Sequence, residues 1–180
     1  MSLSRLLLIA PNSRKYIEGE NSEKVIIKTD PNSEVVLCFQ LDERSSQDKI
    51  IAEQLGIPRN QKRCDGIIFY AKDDDPRRVI CLVEMKSRNI SNASEQIKAT
   101  KKYMNDLLKL EATATSNYNC DEFRKQISDV KWIACLYHHG ASPRNMSDFC
   151  KDLKNDGFVK TILLSRSKKE LNIIQELENS

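Results

Sequence analysis

Asp65 opens one apolar run of the chain, and Glu84-Met85-Lys86 closes the next, VICLVEMK. Two carboxylates and an amine gathered at one place would make a cation site. Like charges that close resist joint ionisation unless a cation lies between them, and hard carboxylate oxygens at an open mouth suit Mg²⁺ or Mn²⁺. An apolar strand that ends on Glu and then Lys breaks its own pattern, which is where functional residues are expected.

The elements that would bring these residues together read as a hairpin. Residues 64–70 and 79–85 form antiparallel strands around a polar turn carrying Asp73, Asp74, Asp75 and Pro76. With the turn centred between Asp74 and Asp75, Asp65 lies directly opposite Glu84, and opposed residues share a sheet face with Cβ atoms about 5 Å apart. Alternation adds Lys86 to that face and turns Val79, Cys81, Val83 and Met85 to the other.

The 180 residues, 39% hydrophobic, suffice for a single domain (1–180) that buries a core without staples. A net charge of +3, from 29 basic against 26 acidic residues, permits an anionic partner and leaves local clusters to decide. Six cysteines at 38, 64, 81, 120, 135 and 150 stand mostly inside apolar runs with no C-x-x-C pair. They read as buried reduced thiols of a cytoplasmic protein, not as a disulfide or metal framework. The apolar run 6–10 is too short to span a membrane and lacks a signal-peptide layout, so it reads as an opening strand or helix.

In chain order, 24–29 and 34–41 read as strands of a first hairpin around Asp30-Pro31-Asn32-Ser33. Ser45 or Ser46 caps a helix with Ile50, Ile51 and Leu55 at helical spacing, stopped by Gly56 and Pro58. Glu53, three after Ile50 and four before Ile57, has the spacing to turn inward with them, against the exposed face that a lone helical Glu normally takes; the neighbouring hairpin is what raises it. Asn92-Ala93-Ser94-Glu95 resembles a capping box opening a helix to about 110, buried through Ile97, Tyr103, Met104, Leu107 and Leu108. Lys98, Lys101 and Lys102 make a basic stripe on that helix, close in sequence to Lys86 and Arg88.

Residues 111–129 read as a surface connection with a short helix about 121–127, and KWIACLY (131–137) as a buried strand. A helix between two strands implies a right-handed parallel crossover, which would bring His138 and His139 to the edge that carries Glu84 and Lys86. The two histidines would face opposite ways, so they are accessory candidates for substrate contact or proton transfer, not joint metal ligands. A helix at 147–155 and a strand at 160–165 follow. Ser167-Lys168-Lys169-Glu170 then reads as a capping box for a tail helix at about 168–178, packed on the domain or forming a homodimer contact.

This order, a helix with Glu53, a strand with Asp65, a strand with Glu84-x-Lys86, a helix with Gln96 and a further strand, resembles the PD-(D/E)XK nuclease superfamily over 45–137, about half the chain. The resemblance implies an α/β restriction-endonuclease-like fold, an αβββαβ core with a central mixed sheet flanked by helices, the whole core at about 24–165. It implies that Asp65, Glu84, Glu53 and the backbone carbonyl of Met85 hold Mg²⁺ or Mn²⁺, with Lys86 and Gln96 completing the catalytic set. The implied activity is phosphodiester hydrolysis in nucleic acid, DNA rather than RNA, with no membrane partner. Arg59, Lys62, Arg63, Arg88, Lys98, Lys101 and Lys102 are then candidates for holding the phosphate backbone. Cys64 stands where the family name has proline, and Thr100 stands where RecB-like relatives have tyrosine. The alternative is a non-catalytic nucleic-acid- or protein-binding subunit that retains the fold.

Overall fold

Strand β5 (Asp75–Lys86), twelve residues long, is the centre on which the other elements are stacked. Its middle, VICLVEM, is buried throughout, so both of its faces must be covered. A computed structural model describes residues 13–19, 22–29, 33–42, 45–58, 61–72, 75–87, 89–114 and 129–178. The run 6–10, Arg59, Asp73, Asp74, Arg88, Cys120 and the helix expected at 121–127 lie outside the described residues.

The remaining elements are β1 (Tyr16–Glu18), β2 (Lys24–Ile27), β3 (Glu34–Gln40), α1 (Ser46–Gln54), β4 (Gly66–Lys72), α2 (Ala93–Ala114), β6 (Val130–His138), α3 (Pro143–Asn155), β7 (Lys160–Ser165), β8 (Glu170–Leu171) and α4 (Ile173–Glu178). The chain is an α/β protein with a mixed sheet of order β3-β4-β5-β6-β7 and a second sheet of order β1-β2-β8. In the larger sheet β3, β4 and β5 are antiparallel neighbours, whereas β5, β6 and β7 run parallel. The helix α2 makes the expected crossover between β5 and β6. Helix α1 lies between β3 and β4, so the described order has a strand before the first helix, where an αβββαβ core would have the helix first.

Two apolar layers sandwich the sheet. On one face Ile67, Ile80, Leu82, Ala134 and Leu136 pack with Ile51, Leu55, Ile97, Met104 and Phe149 of the helices. On the other, Ile68, Cys81, Val83, Met85, Cys135 and Tyr137 pack with Ile17, Val25, Ile27 and Leu171 of the small sheet and with Ile173 at the start of α4. The close approach of that small sheet demands Gly66: a Cβ there would stand 2.2 Å from Ile17 Cδ1. Gln40, fully buried, fastens the same contact, its amide accepting from the Glu18 N–H at 2.9 Å and donating to the Glu18 carbonyl at 2.8 Å. The described cysteines 38, 64, 81, 135 and 150 are free, the first four buried.

Several sequence expectations are corrected here. Strands β2 and β3 do not form a hairpin with each other: β2 pairs with β1 and β8, and β3 pairs with β4. Val25 and Ile27 bury on the small-sheet layer, whereas β3 is buried on both faces, so the two strands belong to different layers. The capping box at 167–170 does not form. Glu170 and Leu171 instead pair in parallel with Ile26 and Ile27, and the tail helix starts only at Ile173, with Asn172 Oδ1 accepting from the Gln175 N–H. Helix α3 starts at Pro143, four residues before the expected 147, because Ser142 caps it and proline suits the first turn. Helix α2 continues to Ala114.

Candidate active site

Cross-strand partners of β4 and β5 have numbers summing to 149 from Ala71↔Arg78 to Gly66↔Val83, so the next step along the ladder is Asp65 and Glu84. The register irregularity lies between Ala71 and Lys72, beside the turn and far from these residues. Asp65 stands just before β4, and its Oδ2 accepts the Met85 N–H at 2.6 Å. Its carbonyl accepts from Leu41 N–H at 2.8 Å and, more loosely, from Asp42 N–H at 3.4 Å. The carboxylate is thereby fixed against the residue that follows Glu84.

Glu84 is fully buried. Lys86 Nζ stands 2.7 Å from Oε1 as an ion pair, with the lysine one-quarter exposed. Burial, and then the negative charge of Asp65, push the Glu84 carboxyl well above its ordinary value; Lys86 and the main-chain amide of Asp65 act against them. A buried carboxyl beside a second carboxylate calls for a proton or a cation, and Lys86 supplies one positive charge. A cleft of about 210 Å³, lined by Asp42, Arg63, Cys64, Asp65, Met85, Lys86 and Gln96, opens beside it.

The fit to a divalent cation turns on that buried glutamate. Among the described residues no three His, Cys, Asp or Glu side chains converge as a metal group. Asp65, Glu84 and the Met85 carbonyl nevertheless match what Mg²⁺ requires of a protein, one or two carboxylates with the other positions left to water and phosphate. The donor set fits at that level.

Glu53 is corrected: it is exposed on α1, as is Ile50 beside it at 46%. The inward face of α1 is Asp48, Ile51 and Ala52, the side on which Ile51 and the buried Leu55 stand four residues apart. Asp48 is spent on structure, accepting from Arg14 at 2.6 Å and from the Ser45 hydroxyl at 2.7 Å. The acidic neighbour that lines the cleft is Asp42, half-buried and unsignalled by any periodicity, since it follows the last residue of the Glu34–Gln40 strand by two.

Gln96 lines the cleft and donates to the Arg63 carbonyl at 3.0 Å. Arg63 belongs to the same wall, while Lys62 is exposed and ion-paired with Glu95. The lysine stripe is largely occupied by α3: Lys98 pairs with Asp152 at 2.8 Å, and Lys101 pairs with Asp156 and lies over the Phe158 ring. Lys102 is exposed. Lys98, Lys101, Lys102, Asn105 and Lys109 line a separate groove of about 700 Å³.

The histidines part as the alternation requires. His138 is in register with Lys86 and buried; its Nδ1 accepts from the N–H groups of Gly140 and Ala141 at 3.3 and 3.2 Å, which puts the ring proton on Nε2. Burial, followed by the neighbouring His139, lowers its pKa. His139 turns to the opposite face, 3.0 Å from the Tyr137 hydroxyl and 3.7 Å from Glu23.

No described helix is long and apolar enough to cross a membrane. Comparisons with protein-family models, curated proteins and solved structures return no match.

Proposed function

We propose that this chain is a metal-dependent nuclease of the restriction-endonuclease-like kind, hydrolysing phosphodiester bonds in DNA. One observation carries the reading: a fully buried glutamate paired with the Lys86 ammonium at 2.7 Å and neighboured by the fixed carboxylate of Asp65, beside a polar cleft. The mixed sheet, with Asp65 and Glu84 on antiparallel neighbours and α2 crossing to a parallel strand, supports the same resemblance.

Asp65, Glu84 and the Met85 carbonyl would hold Mg²⁺ or Mn²⁺, which when bound supplies a water of lowered pKa and a counter-charge for a non-bridging phosphoryl oxygen. Lys86, whose side chain lines the cleft, orients the attacking water or offsets charge that builds on the phosphoryl group. Its present contact with Glu84 holds it at the reacting position. Arg63 on the cleft wall supplies a guanidinium for the scissile phosphate or its neighbour. Asp42, on the same wall, adds negative charge that favours a divalent cation in the cleft. The exposed Lys102 offers a further positive charge for the strand backbone, in a groove of about 700 Å³ that Asp106 and Asp156 also line.

Incubation with plasmid, linear duplex and single-stranded DNA, plus Mg²⁺ or Mn²⁺, tests the reading. Cleavage should require the metal and be lost in Asp65→Ala and Glu84→Ala; cleavage that survives either substitution overturns it. A non-catalytic subunit would instead show neither cleavage nor metal-dependent thermal stabilisation linked to Asp65.

A further inference from the structure

The buried stripe of α2 runs through Ala93, Ile97, Met104, Leu107 and Leu108, and the place between Ile97 and Met104 is taken by Thr100, which is 0% exposed. A hydroxyl buried there has to be hydrogen-bonded. Thr100 Oγ1 donates to the Gln96 carbonyl at 2.9 Å and accepts the Cys64 N–H, also at 2.9 Å. One turn earlier, Gln96 Nε2 donates to the Arg63 carbonyl at 3.0 Å. That carbonyl and that N–H belong to one peptide group, and in a trans peptide they point in opposite directions. Four residues of helix rise about 6 Å, so side chains at i and i+4 can take hold of the peptide plane from its two ends.

We propose that Gln96 and Thr100 are positioning residues that act as a clamp on the 63–64 peptide and thereby aim the Asp65 carboxylate. Asp65 is then held from three directions: the clamped peptide before it, Leu41 N–H on its carbonyl and Met85 N–H on its carboxylate. Loss of the Thr100 acceptor leaves the Cys64 N–H a buried orphan, which turns the plane towards another partner. The turn carries Asp65 with it, and displacement of about 1 Å at a reacting centre costs roughly a hundredfold in rate. Thr100 does not line the cleft, so its effect passes through the peptide it holds and on to Asp65.

The proposal rests on the metal-site reading of the cleft, and its test separates the two. The Met85 amide proton, which reports the position of Asp65 Oδ2 whether or not the protein cleaves DNA, is followed by NMR in the intact chain. Thr100→Val should move that signal upfield and speed its exchange, weaken Mn²⁺ binding about tenfold, and lower kcat about 10- to 100-fold with KM within about twofold. Thr100→Ser, which keeps the acceptor, should restore all three. A wild-type Met85 amide signal in Thr100→Val, or failure of Thr100→Ser to restore it, overturns the clamp. If Thr100→Val does not fold, Gln96→Leu releases the other end of the plane: the same upfield shift and faster exchange support the clamp, and an unmoved Met85 signal overturns it. If the wild-type chain neither binds Mn²⁺ nor cleaves DNA, the metal-site reading falls while the Met85 signal still decides the clamp.

Discussion

Two glutamates at the same end of the large sheet have opposite environments. Glu23, on the small-sheet side, accepts from Lys169 at 2.7 Å and from the Tyr137 hydroxyl at 3.0 Å, with Arg166 and His139 within 4 Å. Those bonds hold its pKa below the ordinary value, while burial and the same glutamate push the Tyr137 phenol up to about 12. Glu84, on the helix side, is fully buried beside the Asp65 carboxylate with Lys86 as its ion-pair partner, and burial followed by the charge of Asp65 pushes its pKa up. The saturated carboxylate joins the turn after β1 to the turn after β7, a structural role. The buried one, with a second carboxylate beside it, is kept at a cost to stability.

The comparison can be broken first at Glu84. Glu84→Gln, nearly isosteric, should reduce metal-dependent DNA cleavage by roughly a thousandfold or more, whereas Glu23→Gln should leave cleavage unchanged and lower Tm by a few degrees. Equal effects on cleavage would dissolve the distinction. Next in size, Gly66→Ala should cost about 2 kcal/mol in denaturant unfolding, because the new methyl drives Ile17 and the small sheet off β4. An unchanged midpoint would show that the two layers are not pressed together at this point.

The pH dependence of stability should carry opposite signs. Glu84 has a raised folded pKa, so in EDTA it is harmless below 4.5, and stability falls as pH climbs from 4.5 towards the raised value. Glu23 has a lowered folded pKa, so its contribution is complete above 4.5 and is lost as pH drops through the lowered value. Glu84→Gln should flatten the first slope and Glu23→Gln the second, measured by thermal melts across pH. Smaller again, Lys98→Ala and Lys101→Ala should each change the salt dependence of DNA binding by less than substitution of the exposed Lys102 by alanine, since their charges already face Asp152 and Asp156. Smallest of all, Glu53→Ala should keep cleavage within about twofold of the wild type, in line with its exposure; a larger loss would return it to the site.

Much of the large sheet was legible because its signals are local. The strand VICLVEM, the helix behind Ser45 and the crossover through α2 each follow from periodicity and capping, and the hairpin register follows from them by arithmetic. Asp65, Glu84 and Lys86 were legible for the same reason: they interrupt a pattern at a shared height. Glu53 failed because Ile50 and Ile51 are adjacent and spacing alone does not say which turns inward; the fold buries Ile51 with Asp48 and Ala52 and leaves Ile50 and Glu53 exposed. The first hairpin failed because alternation in 24–29 marks a half-buried strand without saying which sheet receives it.

Sequence alone determined the identity and register of the acidic and basic side chains at the sheet end, since strand period and turn placement are properties of neighbours in the chain. Tertiary structure decided how deeply each is buried and which groups it meets. That depends on long-range placements, the small sheet over Gly66, Asp42 beside Asp65, and Thr100 of α2 holding the peptide before it. Burial and hydrogen-bond satisfaction arise only when distant segments meet, and no local pattern records them.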